Sequence, residues 1–382
     1  MTEEQEVLIQ GLRDVLTKEF DVEYYKKLDD EKRWPYEVMA QLGELGYLGL
    51  SVPEEYGGYG GNSLDVTMAI EEAARIMGGP AMAYFTTVCF GTRAIAEFGT
   101  DKQKEEMLPG LMDGSKYCAL AVTEPDGGTD MLGAMKTSAT PDGNGNWVIN
   151  GSKIFITGAH IAEWIIVVLR TSGFEEKRTK GVSMFIVPAN AKGLTIEPVE
   201  VFCHGATGAN LLTFDNVAVP GENLFGPLDK GLYTLFGVLN DERIGAAAMS
   251  LGLAECAFDE ALAYAKQRMA FGKPLGQFQA VQHMLSNCWT TIQAGKYLLY
   301  KAAWLEANHM DAAMESNAAK LYCSDNAVKI INDCMDVLGG YQVTREFRAF
   351  YLFRDSRFTF APVANNAARN MIGESLGLPK SY

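Results

Sequence analysis

Apolar positions in the first third of the chain recur at three- and four-residue steps, the period of a helix with one buried face. Val7, Leu8, Leu12, Val15 and Leu16 follow this step, as do Met68, Ala69, Ala73, Ile76 and Met77. Residues 3–115 therefore read mainly as helix, interrupted by the Gly- and Pro-dense loop Val52-Pro53-Glu54-Glu55-Tyr56-Gly57-Gly58-Tyr59-Gly60-Gly61. From about residue 117 the period changes. Trp147–Gly151, Lys153–Thr157, Trp164–Leu169, Val182–Val187, Leu194–Val199 and Leu211–Val219 are short β-branched or aromatic runs. Turn signals such as Asp142-Gly143-Asn144-Gly145-Asn146 separate them, which predicts a small β-barrel or sandwich. After Gly226 the helical period returns over 229–270, 276–306, 311–338 and 364–376, broken at Gly272-Lys273-Pro274 and Gly339-Gly340. The fold class is α+β, mostly α: an N-terminal helical domain (1–116), a middle β domain (117–228) and a C-terminal helical domain (229–382). No βαβ series appears, which disfavours a Rossmann fold.

The length of 382 residues fits two or three such domains. Lys plus Arg total 33 against 48 Asp plus Glu, a formal charge of −15, so a nucleic-acid partner is excluded as a first reading. A small polyanion remains open, because local cations and backbone N–H groups can outweigh a distant net charge. The seven cysteines have no Cys-x-x-Cys spacing and the four histidines no His-x-x-x-His spacing. Reduced thiols in a cytoplasmic protein, with no metal, are expected. No apolar run reaches a membrane span, and the acidic start Met1-Thr2-Glu3-Glu4-Gln5-Glu6 is neither a signal nor a transit peptide.

Two longer segments carry more information. One is Leu45-Gly46-Tyr47-Leu48-Gly49-Leu50-Ser51-Val52-Pro53-Glu54-Glu55-Tyr56-Gly57-Gly58. The other is Ala121-Val122-Thr123-Glu124-Pro125-Asp126-Gly127-Gly128-Thr129-Asp130, followed by Asn150-Gly151-Ser152-Lys153-Ile154-Phe155-Ile156-Thr157-Gly158. With Gln267-Arg268-Met269-Ala270-Phe271-Gly272-Lys273-Pro274-Leu275, Phe278-Gln279 and Leu338-Gly339-Gly340-Tyr341, they resemble the flavin-dependent acyl-CoA dehydrogenase family over about residues 3–376. The resemblance implies a C-terminal four-helix bundle, non-covalent FAD, an acyl-CoA substrate, electron-transfer flavoprotein as partner and a homotetramer or homodimer.

It also implies roles for single residues. Leu120, Val122 and Thr123 would meet the pyrimidine side of the flavin, and Phe155 and Thr157 the isoalloxazine. Arg268, Phe271, Gln279, Asp336, Gly339 and Gly340 would hold FAD, with the Arg268 guanidinium on the pyrophosphate of a neighbouring subunit. Thr129, Arg243 and Val363 would contact substrate. Without the resemblance, Arg268 reads first as a helix-terminal arginine complementing the macrodipole.

Dehydrogenating an acyl thioester needs a carboxylate base beside the substrate, its pKa raised by a water-poor pocket. Most of the family carry it near the C-terminus, where this chain has Val363 in Phe360-Ala361-Pro362-Val363-Ala364. A minority, including isovaleryl- and long-chain-type enzymes and a crotonobetainyl-CoA reductase of carnitine metabolism, place a glutamate just before an arginine on an earlier helix. Glu242 stands there, in Leu239-Asn240-Asp241-Glu242-Arg243-Ile244-Gly245. Asp241 is its rival, about 100° away round a helix, and a dipole-stabilised carboxylate or a partner for Arg243 is the bland reading. Other departures are Asp336 for the family's Gln, Asn240 for its Asp, replaced FAD contacts around Asn365 and Arg369, and His204 in a loop.

The expected activity is α,β-dehydrogenation of an acyl-CoA, with Glu242 taking the α-proton while the β-hydride passes to flavin N5. Alternatives are the reverse enoyl-CoA reduction, a non-redox lyase-type relative, and a non-catalytic flavin-free subunit. The acyl pocket is expected between the small residues after Glu242 and Tyr84-Phe85-Thr86-Thr87-Val88, with no evident cation for a second carboxylate.

Overall fold

The computed structural model describes residues 2–173, 179–361 and 364–379. Its N-terminal part holds α1 (Glu3–Glu19), α2 (Val22–Glu31), α3 (Tyr36–Glu44), α4 (Ser63–Met77), α5 (Met82–Thr86), α6 (Ala94–Phe98) and α7 (Asp101–Met112). Thr2, Asn62 and Thr100 start α1, α4 and α7 with capping boxes, which satisfy backbone N–H groups the first turn leaves free. On α1 the buried line is Ile9, Leu12 and Leu16, whereas Val7 faces solvent. Between α5 and α6 the chain runs as a π-helical turn, Thr87–Arg93. Such wide turns redirect side chains and recur at functional sites.

The middle part contains β1 (Cys118–Ala121), β2 (Ser138–Pro141), β3 (Asn146–Thr157), β4 (Trp164–Arg170), β5 (Val182–Pro188), β6 (Leu194–Val199) and β7 (Ala209–Pro220). They form one hydrogen-bonded sheet in the order β1-β4-β2-β3-β7-β6, with β5 paired to β4. The two runs expected over 147–157 are one strand, broken in register against β7 between Ile149 and Gly151 and between Lys153 and Ile156. The pattern missed β1 and β2, four residues each, too short to show alternation. All of β4 is buried because the sheet is covered on both faces. Ile165, Val167 and Leu169 enter one core, and Trp164, Ile166 and Val168 a second one.

The C-terminal part opens with α8 (Gly231–Gln267), followed by the hairpin β8 (Met269–Ala270) and β9 (Lys273–Pro274). After it come α9 (Gln279–Ala307), α10 (Ala313–Leu338), α11 (Ala349–Ser356) and α12 (Asn365–Ser375). Helices α8, α9 and α10 pack together, α12 lies on α10, and α4 packs on α8. Every α8 residue from Arg243 to Ala257 is buried. A Cβ at Gly252 would lie 2.4 Å from the Glu71 carbonyl and 2.6 Å from Ala74 Cβ, so only glycine lets α4 come this close. A half-buried lysine ties the same layer together: Lys296 Nζ lies 2.8 Å from both Glu71 and Glu255. Burial and the neighbouring Glu71 push the Glu255 carboxyl up to about 8.

Among the described residues no helix is long and apolar enough to cross a membrane, and no group of His, Cys, Asp or Glu could hold a metal ion. One continuous apolar core links α1, α4, β3, β4, β7, α8 and α10, so the helical and β parts share their packing.

A buried ion pair fastens the β1 end to β3. Lys153 Nζ donates to Glu124 Oε1 and to the Val122 carbonyl, both at 2.9 Å. The Glu124 carboxylate also accepts from the backbone N–H groups of Lys136 and Thr137, and Ile154 N–H donates to the Thr123 carbonyl. Desolvation lowers the Lys153 pKa to about 8 despite its partner. Removing one member of such a pair strands a buried charge. Lys153→Met is expected to cost about 3–5 kcal/mol of stability, read from the urea midpoint. Adding Glu124→Gln is expected to recover part of the loss.

Candidate active site

The residues expected to meet a flavin gather where β1 runs out beside β3. Leu120 lies on β1, Val122 and Thr123 follow the strand, and Phe155 and Thr157 lie on the C-terminal half of β3. The register shift between Lys153 and Ile156 is a bulge, and bulges re-aim side chains. Phe155 has φ +62°, rare for a bulky residue, and its ring is 60% exposed while Ile156 beside it is buried. The strand is thus strained to hold an aromatic ring out over an open face. Thr129 lies in the exposed turn after Glu124, and Val363 falls outside the described residues.

Helix α5 joins this face to α8. The Tyr117 hydroxyl donates to the Thr157 carbonyl at 3.4 Å, and Tyr117 also meets Thr86 of α5. One residue back, the Phe85 ring packs into the space left by Gly245 of α8. Glu242 lies three residues before that glycine and is only partly exposed. It makes no hydrogen bond or ion pair with the described residues. Burial pushes its carboxyl up to about 7, against the weaker pull of Arg243 and Lys320.

Asp241 is also pushed up to about 7 by burial, but its carboxylate is engaged. Arg93, at the end of the π-helical turn, reaches Asp241 Oδ2 at 2.7 Å. The two neighbouring carboxyls are thereby separated in role: one is paired with a cation, the other open. The Arg243 guanidinium is buried, bonding Asn240 Oδ1 at 2.7 Å and Met371 Sδ at 3.6 Å. Among the described residues it does not pair with Glu242, and its Nε has no partner.

The remaining expected cofactor residues meet elsewhere. Arg268, Asp336, Gly339 and Gly340 line an open groove of about 550 Å³ with Tyr264, Leu275 and Tyr341. Gly339 has φ +59°, and a Cβ at Gly339 or Gly340 would project into free space. An always-charged guanidinium beside glycine backbone fits a phosphate, and the Asp336 carboxylate fits ribose hydroxyls. Gln279 starts α9 at the rim. Phe271 and Gly272 form the two-residue turn of the β8–β9 hairpin, both at positive φ, with Phe271 96% exposed. Glu242 and Arg268 are 26 residues apart on or just past one helix, roughly 39 Å at 1.5 Å per residue.

Two functional neighbours escaped the sequence reading. Arg93 sits in a π-helical turn that no apolar period announces. Lys320 on α10 is wholly buried, donates to Asn365 Oδ1, and is lowered to about 8 by burial. It falls on the buried line Ser316, Ala319, Lys320, Cys323, Ser324, and that position was its only signal. Its ammonium lies near enough to Glu242 to pull on that carboxyl. Arg369 is held by Asp325 at 2.5 Å, so its charge is engaged locally. His204 is buried, with its ring nitrogens 3.3 Å from the Gly79 carbonyl and 3.1 Å from that of Asp355.

Family models match along the chain: the acyl-CoA dehydrogenase N-terminal domain at residues 2–115, the middle domain at 119–217 and the C-terminal domain at 229–376. The chain is 35% identical to a short-chain-specific acyl-CoA dehydrogenase of Clostridium acetobutylicum over 94% of both chains. It is 32% identical to the caffeyl-CoA reductase–Etf complex subunit CarC of Acetobacterium woodii over 93% of both. Its fold matches butyryl-CoA dehydrogenase from Megasphaera elsdenii with a TM-score of 0.93, 32% identity and 98% of both chains covered. Built on this three-part fold and matched from end to end, the chain belongs to the acyl-CoA dehydrogenase family of flavoprotein oxidoreductases, which act on CH–CH bonds.

Proposed function

We propose that this protein is an FAD-dependent acyl-CoA α,β-oxidoreductase in which Glu242 is the proton acceptor. The observation that carries the reading is one carboxyl on α8, unpaired among the described residues and raised to about 7 by burial, three residues before the glycine on which Phe85 packs. A base must be ionised enough to accept a proton yet basic enough to want one, and a pKa near neutrality meets both needs. The Glu242 carboxylate takes the α-proton of the thioester. Arg243 and Lys320, both buried nearby, keep the carboxyl from rising further. FAD, when bound, supplies the acceptor for the β-hydrogen and its electron pair.

Leu120, Val122, Thr123, Phe155 and Thr157 would hold the flavin, and Arg268, Asp336, Gly339 and Gly340 its phosphate and ribose end. Thr129 and Val363 would meet the substrate. A single FAD beside Glu242 does not reach a groove roughly 39 Å along the same helix. The groove therefore serves the cofactor of a second copy, which supports a homotetramer or homodimer. The protruding Phe271 turn supports the same assembly, since a strained, exposed aromatic ring wants a cover.

Electron-transfer flavoprotein is the proposed redox partner, and the cytoplasm the proposed location. The similarity to a caffeyl-CoA reductase–Etf complex subunit supports the partner. That relative and a 3-(aryl)acrylate reductase of Clostridium sporogenes, 34% identical, also favour a second reading, the same site run as an enoyl reductase. Acyl-CoA oxidised only with an artificial acceptor supports the dehydrogenase; an enoyl-CoA reduced only with a donor supports the reductase.

Glu242→Gln is expected to keep FAD and acyl-CoA binding and to slow anaerobic flavin reduction ~10²–10⁴-fold; near-normal reduction would sink the assignment. In the wild type that rate is expected to rise with pH through about 7, because the carboxylate is the active form. Asp241→Asn should keep the limb, whereas its loss there would move the base to Asp241. Arg268→Ala is expected to weaken FAD binding about ten- to a hundredfold, measured as flavin released on dilution.

A further inference from the structure

Glu242, Ala246, Met249 and Leu253 stand four, three and four residues apart, so they form one line down a single face of α8. Beyond Glu242 this line is one wall of an apolar crevice. Met82 and Phe85 of α5, with His204, Phe358 and Thr359, complete the lining. The crevice is a seam between side chains, nowhere wide enough for a water molecule. A gap too narrow for water holds no methylene group either until its walls move.

Phe85 stands at the entrance to it. Its ring is 1% exposed and fills the place where residue 245 lacks a side chain. A Cβ there would lie 2.3 Å from Phe85 Cε2 and 3.3 Å from Cys89 Sγ. The Phe90 ring, 5.8 Å away and tilted by 57°, backs it from the other side. Gly245 is three residues past Glu242, roughly 4.5 Å along the helix axis. An acyl chain whose α-carbon lies beside Glu242 therefore meets the Phe85 ring within a few carbons.

We propose that Phe85, seated on Gly245, is the residue that ends the acyl pocket and restricts this enzyme to short acyl groups. The inference rests on the acyl-CoA reading with Glu242 as base. Behind the ring the crevice is a latent extension of the pocket. Met82 and Met249 line it with flexible thioethers that can move aside, whereas the His204 ring is fixed between the Gly79 and Asp355 carbonyls. Removing the ring joins the two spaces.

The test is a series of saturated acyl-CoAs from butanoyl to dodecanoyl, with one aryl-substituted acyl-CoA, measured as anaerobic flavin reduction by the FAD-loaded enzyme. Wild type is expected to lose kcat/KM steeply between butanoyl and octanoyl. Phe85→Ala is expected to raise the octanoyl-to-butanoyl ratio by about tenfold or more, and Phe85→Leu, which keeps more of the packing, to raise it by less. An unchanged ratio in either variant that folds and holds FAD would overturn the proposal. So would a wild type that takes octanoyl or the aryl group as readily as butanoyl. Wild-type flavin that no acyl-CoA reduces would overturn the acyl-CoA reading as well, which separates that failure from failure of the gate alone.

Discussion

Water is kept from one stretch of α8, and the rest of the site depends on that exclusion. Gly252 and Gly245 carry no side chain, so α4 and α5 come down onto the helix where any Cβ would collide. The wall they close off leaves Glu242 poorly solvated, and a poorly solvated carboxyl holds its proton more tightly. The π-helical turn after α5 completes the arrangement by aiming Arg93 at Asp241. Two adjacent carboxyls in the same dry layer thus differ, one paired with a cation and one without a partner among the described residues.

The three-part order of helices, strands and helices was legible because the apolar period switches twice. So were the long runs of α8, α9 and α10, where burial on one face writes a strong pattern. What escaped was local or long-range. Strands β1 and β2 are too short to alternate visibly, and α11 lies among aromatic and basic residues without a clean period. Val7 looked like part of the buried stripe of α1, but Ile9 takes that place. The bulge that turns out Phe155 cannot be read from its neighbours, since register against β7 creates it.

The candidate site shows the same division. Glu242 could be singled out from its chain neighbours Arg243 and Gly245. Asp241 was its rival, and the ion pair that sets the two apart comes from Arg93, in a turn about 150 residues earlier. Lys320 looked like one charged residue on a helix, and only packing of α10 against α8 brings its charge to bear on Glu242. Arg268, Asp336 and the Gly339-Gly340 pair meet in one groove, which joins the end of α8 to the end of α10.

The central claim, that Glu242 alone moves the α-proton, can be measured apart from any redox step. An acyl-CoA analogue with sulfur at the β-position has no β-hydrogen to lose, so only its α-protons can react. In deuterated buffer the wild-type enzyme is expected to exchange those protons, faster as pH rises through about 7, and Glu242→Gln to leave them in place. Exchange that continues undiminished without the Glu242 carboxylate would contradict the account.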